Sequence, residues 1–273
     1  MEQEVLTEAG VQAFLSQQAK ALFNLTVKEE VTSTNTVLVR QAQQGEPEGT
    51  VLIAQRQTAG KGRRGRSFYS PEGTGLYMSL LLRPKLSPQD SLLVTTAAAV
   101  AVSRAIEKVS GETALIKWVN DIYCRDKKVV GILVEGGMQP EKEMLAYAVL
   151  GIGINLWPPT DGFDEELSKT AGSVMRSSDE GRGKQLLCRL AAAVLNEWAE
   201  WGTELTEKRF MPEYRRRSFL VGQTVRVLNA THEVLENYPP VKVLGIGDEA
   251  ELIVELPDGR REKLRSGEVS VRI

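Results

Sequence analysis

The spacing of apolar and polar residues along the chain predicts several helices. Apolar residues recur at helical intervals near the start of the chain, and a long Ala-, Val- and Leu-rich segment follows a Ser87-Pro88 helix start. Two amphipathic stretches with the same periodicity lie in the second half. The four helices are predicted at Val11–Phe23, Asp90–Val109, Lys184–Trp201 and Glu204–Arg217.

Short apolar runs between polar segments predict the strands of the same region. The Arg125-Asp126 pair between two of these runs indicates a tight hairpin turn. The longest run, Leu145–Leu156, contains Gly151 and Gly153, and glycines within a strand permit close approach of another part of the chain. The other strands are predicted at Thr50–Arg56, Leu76–Leu82, Leu115–Trp118, Ile122–Cys124 and Val129–Glu135.

The pattern changes after Phe219, where only short β-rich segments follow. They are predicted as strands at Thr224–Leu228, Val241–Gly245, Glu251–Leu256 and Val269–Ile273. Strands at this spacing are typical of a small barrel of about 50 residues. We therefore expect a domain of class α/β (α+β) over residues 1–218 and a β-barrel over residues 219–273, with the boundary near Ser218.

The scarcity of histidine and cysteine restricts the chemistry. The 273 residues include one histidine, His232, and two cysteines, Cys124 and Cys188. A site built on several imidazoles is excluded, and a zinc site of the usual ligand set is not expected. Catalysis then rests on Lys, Arg, Asp and backbone groups, which suits phosphoryl or adenylyl chemistry.

Charge and hydropathy predict neither a nucleic-acid nor a membrane partner. The net charge is −2, and no apolar run reaches the roughly 18 residues that a membrane span needs. A basic run, Arg215–Arg217, falls at a predicted helix end, where cations favour the helix dipole. The N-terminal segment lacks a secretory pattern and the cysteines form no disulfide framework, so we expect the cytoplasm.

A Gly-rich basic loop follows the strand Thr50–Arg56. Gly60, Gly62 and Gly65 interleave with four cations between positions 61 and 66, and they match the GxGxxG pattern. The Rossmann interpretation also needs a helix directly after the loop and an acidic residue about 20 positions on, and both are missing. The composition instead favours a mobile loop that folds over phosphates and a carboxylate, and the alternative is a solvated basic turn.

The predicted hairpin carries a second set of polar residues. Asn120 and Asp121 begin one strand and Lys128 begins the return strand. Strand periodicity allows these side chains to face one site. Taken alone, a lysine in a hairpin is more often a solvated charge at a sheet edge.

Four motifs, in the same order, resemble those of the biotin protein ligases. They are Ser33-Thr34-Asn35, the GKGRRGR loop at 60–66, KWVNDIYCRDKKVVGILVE at 117–135 and GIGIN at 151–155. The resemblance runs from about Val31 to the C-terminus and is less close beyond Trp157. It implies the fold of class II aminoacyl-tRNA synthetases followed by an SH3-like barrel, in a monofunctional form without an N-terminal DNA-binding domain.

The same resemblance implies an activity. Biotin would react with ATP, with Mg²⁺ bound through the phosphates, to give biotinyl-5'-AMP, which a lysine of a biotin carboxyl carrier domain would then attack. The partner would be that domain of a biotin-dependent carboxylase, and the resemblance allows for a homodimer. The alternatives are a lipoate ligase of the same fold, a DNA-binding repressor that senses biotinyl-adenylate, and a protein-interaction role for the barrel.

Residue roles follow from the resemblance position by position. The catalytic residues would be Lys128, Arg63 and Asp121. Biotin would be bound by Ser33, Thr34, Asn35, Gln57, Lys61, Gly62, Arg63, Lys128 and Gly131. ATP would be bound by Arg64, Arg66, Phe68, Asn120, Asn155 and Arg272.

Some of these residues have a second interpretation or depart from the family pattern. Ser33 and Asn35 also suit the cap of a helix beginning at Thr36. Asn155 also suits a strand-end turn, and Arg272 a solvated terminal charge. Three residues depart from the family motifs: Lys61 stands where Arg is usual, Phe68 where Trp is common and Val119 where Pro is usual.

Overall fold

Two β-sheets, one large and one small, are formed by the residues that the computed structural model describes, namely 6–179, 185–228, 235, 238–265 and 270–272. The large sheet has seven strands in the order β1-β2-β3-β7-β6-β5-β4. Only β1 and β2 pair in parallel, and every other neighbouring pair is antiparallel. The strands are β1 Asn24–Val31, β2 Thr50–Gln57, β3 Gly75–Leu82, β4 Leu115–Lys117, β5 Asp121–Cys124, β6 Lys127–Gln139 and β7 Met144–Asn155.

Helices pack on both faces of this sheet. The main core lies between the sheet and a layer that contains α4 and α6, and a smaller core under α3 includes Leu38, Leu81 and Val149. The helices are α1 Glu8–Gln12, α2 Gln17–Leu22, α3 Thr34–Gln43, α4 Leu92–Ser110, α5 Glu165–Ser168, α6 Leu186–Trp201 and α7 Met211–Arg217. The expected α/β (α+β) class is therefore confirmed.

The prediction of one helix over Val11–Phe23 is wrong. Two short helices, α1 and α2, occupy this region, because Ser16 caps the second one by accepting a hydrogen bond from Ala19 N. The strand β1 was not predicted at all. Half of its residues are exposed, as suits the edge of a sheet, and its apolar residues Leu25, Val27 and Val31 form no continuous run to recognise.

The prediction of one helix over Glu204–Arg217 is also wrong. A 3₁₀ turn at Leu205–Glu207 ends at Lys208, whose φ of 54° is left-handed and stops the helix. The helix α7 then begins at Met211, with Pro212 in its first turn, where the missing N–H costs no hydrogen bond. The other predicted helices and strands are confirmed within the described residues, with ends that differ by a few residues, while Lys184, Val269 and Ile273 lie outside those residues.

The small sheet follows α7 and is antiparallel throughout, as expected for an SH3-like barrel. Its strands are β8 Thr224–Leu228, β9 Val241–Ile246, β10 Leu252–Glu255, β11 Arg261–Leu264 and β12 Ser270–Arg272, in the order β11-β10-β9-β8-β12. The strand β11 was missed because its first three residues are charged.

The two sheets are in contact through the segment beside β4. Trp118 Nε1 donates to Ala250 O at 2.8 Å, in the turn between β9 and β10. Arg215 Nε donates to Ile246 O at 2.9 Å, and Phe219 N donates to Ile116 O at 3.3 Å. The division into residues 1–218 and 219–273 stays a prediction.

Candidate active site

A cavity of about 400 Å³ lies where the Gly-rich loop between β2 and β3 folds over β6 and β7. The structure brings nearly all of the predicted site residues to its wall. They are Ser33, Thr34, Asn35, Gln57, Lys61, Gly62, Arg63, Arg64, Arg66, Phe68, Asn120, Asp121, Lys128, Gly131 and Asn155. The side chain of Arg272 and the whole of His232 lie outside the described residues, although Val271, beside Arg272 in β12, also lines the cavity.

The start of α3 forms one end of the cavity. Ser33 is the N-cap, and its hydroxyl accepts from Thr36 N at 3.5 Å, so the helix begins at Thr34 rather than at Thr36. Asn35 lies in the first turn and does not cap the helix. Residues 33–35 are all at least 96% buried. Polar groups at such burial need partners, because an unpaired one costs about 1–3 kcal/mol.

Neighbouring side chains supply those partners. Gln57 Oε1 accepts from Thr34 N at 2.9 Å, and Gln57 Nε2 donates to Ser70 Oγ at 2.9 Å. Ser79, which is fully buried on β3, donates to Asn35 Oδ1 at 2.6 Å and lies 2.7 Å from Thr34 Oγ1. Sequence reasoning missed Ser79, because a serine inside an apolar strand gives no local signal.

Backbone hydrogen bonds join the two arms of the Gly-rich loop. Gly62 N donates to Arg66 O at 2.7 Å, and Phe68 N donates to Gly60 O at 2.9 Å. Arg64 and Gly65 take left-handed φ values of 57° and 73°, which turn the chain at the tip. The loop lies over the cavity, which favours a loop that contacts a ligand over a solvated basic turn.

Arg63 is directed from this loop toward the hairpin. Its Nη1 donates to Asn120 Oδ1 at 2.7 Å, and Asn120 Nδ2 donates to Ile132 O on β6 at 2.9 Å. Burial, with a smaller effect from the neighbouring Arg64, lowers the pKa of Arg63 from its ordinary value. The site thus holds cationic groups close together, as an anionic ligand requires.

A pair of glycines makes room for Phe68 at the cavity wall. Gly131 on β6 and Gly153 on β7 are cross-strand partners. A Cβ on Gly153 would lie 2.6 Å from the Phe68 ring, and one on Gly131 would lie 3.2 Å from it. Phe68 also packs edge-on against Tyr77, with ring centroids 6.4 Å apart. The ring of Phe68, which is smaller than the Trp common at this position, is therefore packed between Gly131, Gly153 and Tyr77.

The hairpin of β5 and β6 holds the predicted catalytic pair. Arg125 and Asp126 have φ values of 48° and 60° and form the predicted tight turn. Lys128 Nζ lies 2.6 Å from Asp121 Oδ1, so the expectation that these residues face one site is confirmed. The Lys128 backbone is fixed by the segment after α5, since Lys128 N donates to Thr170 O and Gly172 N donates to Lys128 O, both at 2.9 Å.

Asn155 is the last residue of β7, as expected if it were a strand-end residue. Its Nδ2 donates to Gly172 O at 3.1 Å. Leu167, Thr170 and Ala171 complete this side of the cavity, and no sequence motif predicted that they would line it.

The three arginines at the end of α7 form ion pairs with carboxylates of this chain. Arg217 is buried and donates to both carboxylate oxygens of Glu107 at 2.7 Å. Arg216 donates to Glu213, and Arg215 forms an ion pair with Asp248 in the turn that follows β9. These contacts join α4, α7 and the small sheet.

The chain is similar in sequence to known proteins. The sequence model of the Biotin/lipoate A/B protein ligase family matches residues 27–155. The bifunctional ligase/repressor BirA of Bacillus spizizenii is 33% identical over 250 residues, which are 91% of this chain and 74% of that protein. The chain belongs to the biotin protein ligase family.

Two further relatives agree with this placement. The biotin--[acetyl-CoA-carboxylase] ligase of Mycobacterium tuberculosis is 31% identical over 209 residues, 74% of each chain. The structure of the biotin protein ligase from Aquifex aeolicus in complex with biotin and ATP superposes with a TM-score of 0.68 at 28% identity, covering 91% of this chain and 98% of that one. The family's fold, with a catalytic sheet and a small C-terminal barrel, is thus the fold of this chain.

No helix among the described residues has both the length and the apolar content for crossing a bilayer. No cluster of three or more His, Cys, Asp or Glu side chains there is arranged to hold a metal ion.

Proposed function

We propose that this protein is a biotin protein ligase that activates biotin with ATP and transfers it to a lysine of a biotin carboxyl carrier domain. The observation that carries the proposal is the single cavity that joins the Ser33-Thr34-Asn35 segment, the Gly-rich loop and the Lys128–Asp121 pair. It combines a buried polar end with a cationic end, as a ligand with a polar head and a carboxylate requires.

In the first step, a carboxylate oxygen of biotin attacks the α-phosphorus of ATP. A bond forms between them, and the bond to the β-phosphate oxygen breaks, with pyrophosphate leaving with the electron pair. Lys128 stabilises the negative charge that gathers between carboxylate and α-phosphate, and Arg63 adds a second cation from the loop. Both groups are held in place before reaction, by Asp121 and Asn120 respectively.

In the second step, the carrier's lysine amine attacks the acyl carbon of the mixed anhydride. An amide bond forms, the bond from the acyl carbon to the phosphate oxygen breaks, AMP leaves and the amine loses a proton. Asp121, at the cavity wall, orients the amine. The closed loop shields the anhydride from water.

The residues of this site would suit a magnesium ion that is bound mainly through the ATP phosphates. Asp121 is the one carboxylate among the described residues that line the cavity, and Lys128 already pairs with it. Mg²⁺ commonly keeps several waters and binds mainly through substrate phosphates, with one or two carboxylates. When bound, it spreads the phosphate charge.

The remaining assignments are parts of the proposal. The head of biotin contacts residues 33–35, Gln57 and the backbone near Lys61 and Gly62, and the nucleotide contacts Arg64, Arg66, Phe68, Asn155 and Arg272. A homodimer, the absence of DNA binding and a cytoplasmic location stay predictions. A biotin-dependent shift of an operator-like duplex would contradict the second of these.

The test is exchange of labelled pyrophosphate into ATP without any carrier. Biotin should support exchange, because the first step is complete and reversible inside the closed loop. Lipoate should support far less, since a dithiolane leaves buried polar groups unpaired at about 1–3 kcal/mol each. Equal exchange with lipoate would reassign the acid, and exchange that requires the carrier would exclude a free adenylate intermediate.

A further inference from the structure

Glu135 connects two parts of the cavity that are far apart in sequence. It lies on β6, and its two carboxylate oxygens have different partners. Oε2 accepts from Asn35 Nδ2 at 2.9 Å, and Oε1 lies 3.2 Å from Lys61 Nζ. Asn35 belongs to the buried end of the cavity and Lys61 to the Gly-rich loop, so one side chain contacts both.

The contact with Asn35 fixes the direction of its amide. A carboxylate only accepts hydrogen bonds, so the NH₂ group of Asn35 must face Glu135 and its carbonyl must face away. The carbonyl accepts from Ser79 Oγ at 2.6 Å. A Cβ on Gly151 would lie 2.2 Å from Asn35 Oδ1, so glycine at 151 leaves room for this orientation.

The contact with Lys61 ties the loop to the sheet. Lys61 forms a β-bridge with Ser67, so a restraint on Lys61 also restrains the returning half of the loop. Arg63 provides a second tie, through Asn120 on the hairpin. The Lys61–Glu135 pair is partly exposed, with side chains 45% and 31% accessible, so dissolved salt can screen it.

We propose that Glu135 is a positioning residue that holds the loop closed through Lys61 and orients Asn35 toward the bound acid. The inference rests on the proposed biotin-ligase function. Glu135 does not line the cavity and so acts through its two partners. Binding of the acid at Asn35 and closure of the loop therefore favour each other through one carboxylate.

Two variants separate the two contacts. Glu135→Gln removes the charge that holds Lys61 and also the group that allows only one direction for the Asn35 amide. It should raise the KM for biotin about tenfold and release more biotinyl-5'-AMP into solution. Lys61→Met removes only the loop contact, so it should release roughly two- to fivefold more adenylate, the range for a partly exposed ion pair, with a smaller change in KM.

Two further measurements distinguish positioning from mere stabilisation of the fold. Raising the ionic strength should increase adenylate release by the wild-type enzyme but not by Glu135→Gln, because salt screens a half-exposed ion pair. The double variant should release no more adenylate than Glu135→Gln alone, since both changes remove one interaction. A purely structural role would lower the melting temperature and leave the KM for biotin unchanged.

The matched control is Glu204→Gln, which breaks an exposed ion pair of similar length, 3.3 Å to Arg209, away from the cavity. It should behave as wild type. If the wild-type protein makes no biotinyl-5'-AMP, the proposed function fails. If it does, and Glu135→Gln keeps the wild-type KM and adenylate retention, the inference on Glu135 is overturned. If Glu135→Gln does not fold, wild-type retention by Lys61→Met overturns it.

Discussion

Lys128 Nζ lies 2.6 Å from Asp121 Oδ1, across the two strands of one hairpin. The aspartate holds the ammonium group at the cavity wall, with side chains that are 34% and 24% exposed. A charge that is already in position stabilises a transition state without the cost of reorganisation. Lys128 is therefore the residue whose loss should most affect the first step.

Replacing Lys128 with alanine should slow adenylation about 10²–10³-fold, because one preorganised cation is removed. Pyrophosphate exchange with biotin alone measures this step. Lys28→Ala, an exposed lysine on β1, is the control and should exchange at the wild-type rate. Near wild-type exchange by Lys128→Ala would refute the role given to Lys128.

Gly153→Ala should weaken ATP binding, because its new Cβ would lie 2.6 Å from the Phe68 ring and displace it. The KM for ATP should rise roughly tenfold, since overpacking costs about 1–3 kcal/mol. Gly131→Ala should have a milder effect, because its contact is 3.2 Å. Steady-state kinetics with varied ATP gives both values.

Gly245→Ala is the control for this pair, since a Cβ there meets no heavy atom within 4 Å. The double variant Gly153→Ala with Phe68→Leu should have a KM for ATP no higher than that of Phe68→Leu alone, because both changes act through one ring. An unchanged KM for ATP in Gly153→Ala would show that the position of Phe68 does not matter for the nucleotide.

Arg63→Gly should let biotinyl-5'-AMP escape, because the hydrogen bond from Arg63 Nη1 to Asn120 Oδ1 that fixes the loop is lost. We expect roughly a tenfold increase in free adenylate, measured in the filtrate after incubation without carrier. Arg63→Lys keeps the charge but not the planar fork, and it should give an intermediate value. Equal retention by all three proteins would contradict a role for Arg63 in loop closure.

Glu213 should stabilise the fold in a pH-dependent way. Hydrogen bonds from Arg216 and then Arg217 lower the pKa of Glu213 from 4.5 to about 2. Because the pKa is lower in the folded protein, the stabilisation is complete above about pH 4.5 and is lost as the pH falls toward 2.

Glu213→Gln should therefore lower the melting temperature at pH 7 by roughly 2–4 °C, and the deficit should shrink on acidification. Thermal unfolding at several pH values measures it. Glu29→Gln, on exposed β1, is the control and should melt as wild type at every pH. A deficit for Glu213→Gln that does not depend on pH would contradict the assignment.

Local patterns predicted much of the fold. The Arg125-Asp126 turn and the strands on either side were predicted correctly, because a hairpin is determined by residues close in sequence. Long apolar helices and buried strands were also recognised. By contrast, β1 is polar and becomes a strand by pairing with β2, and such a strand has no apolar period of its own.

The single helix predicted over Val11–Phe23 is a second case in which apolar spacing alone gave the wrong element. Its apolar spacing was read correctly, but Ser16 N donates to Asn196 Oδ1 on α6, and the chain breaks there into two helices. The Ser16 cap of α2 is a local signal in the sequence, whereas the contact with Asn196, 180 positions away, has no local signal.

The sequence by itself determined the motifs, their order and the family to which they belong, because these depend only on residue identity and spacing. Tertiary structure alone decided which side chains meet. Glu135 contacts Asn35 from 100 positions away, and Trp118 contacts Ala250 from 132 positions away. Such contacts depend on how the sheet brings distant strands together, and no local pattern of apolar and polar residues encodes that arrangement.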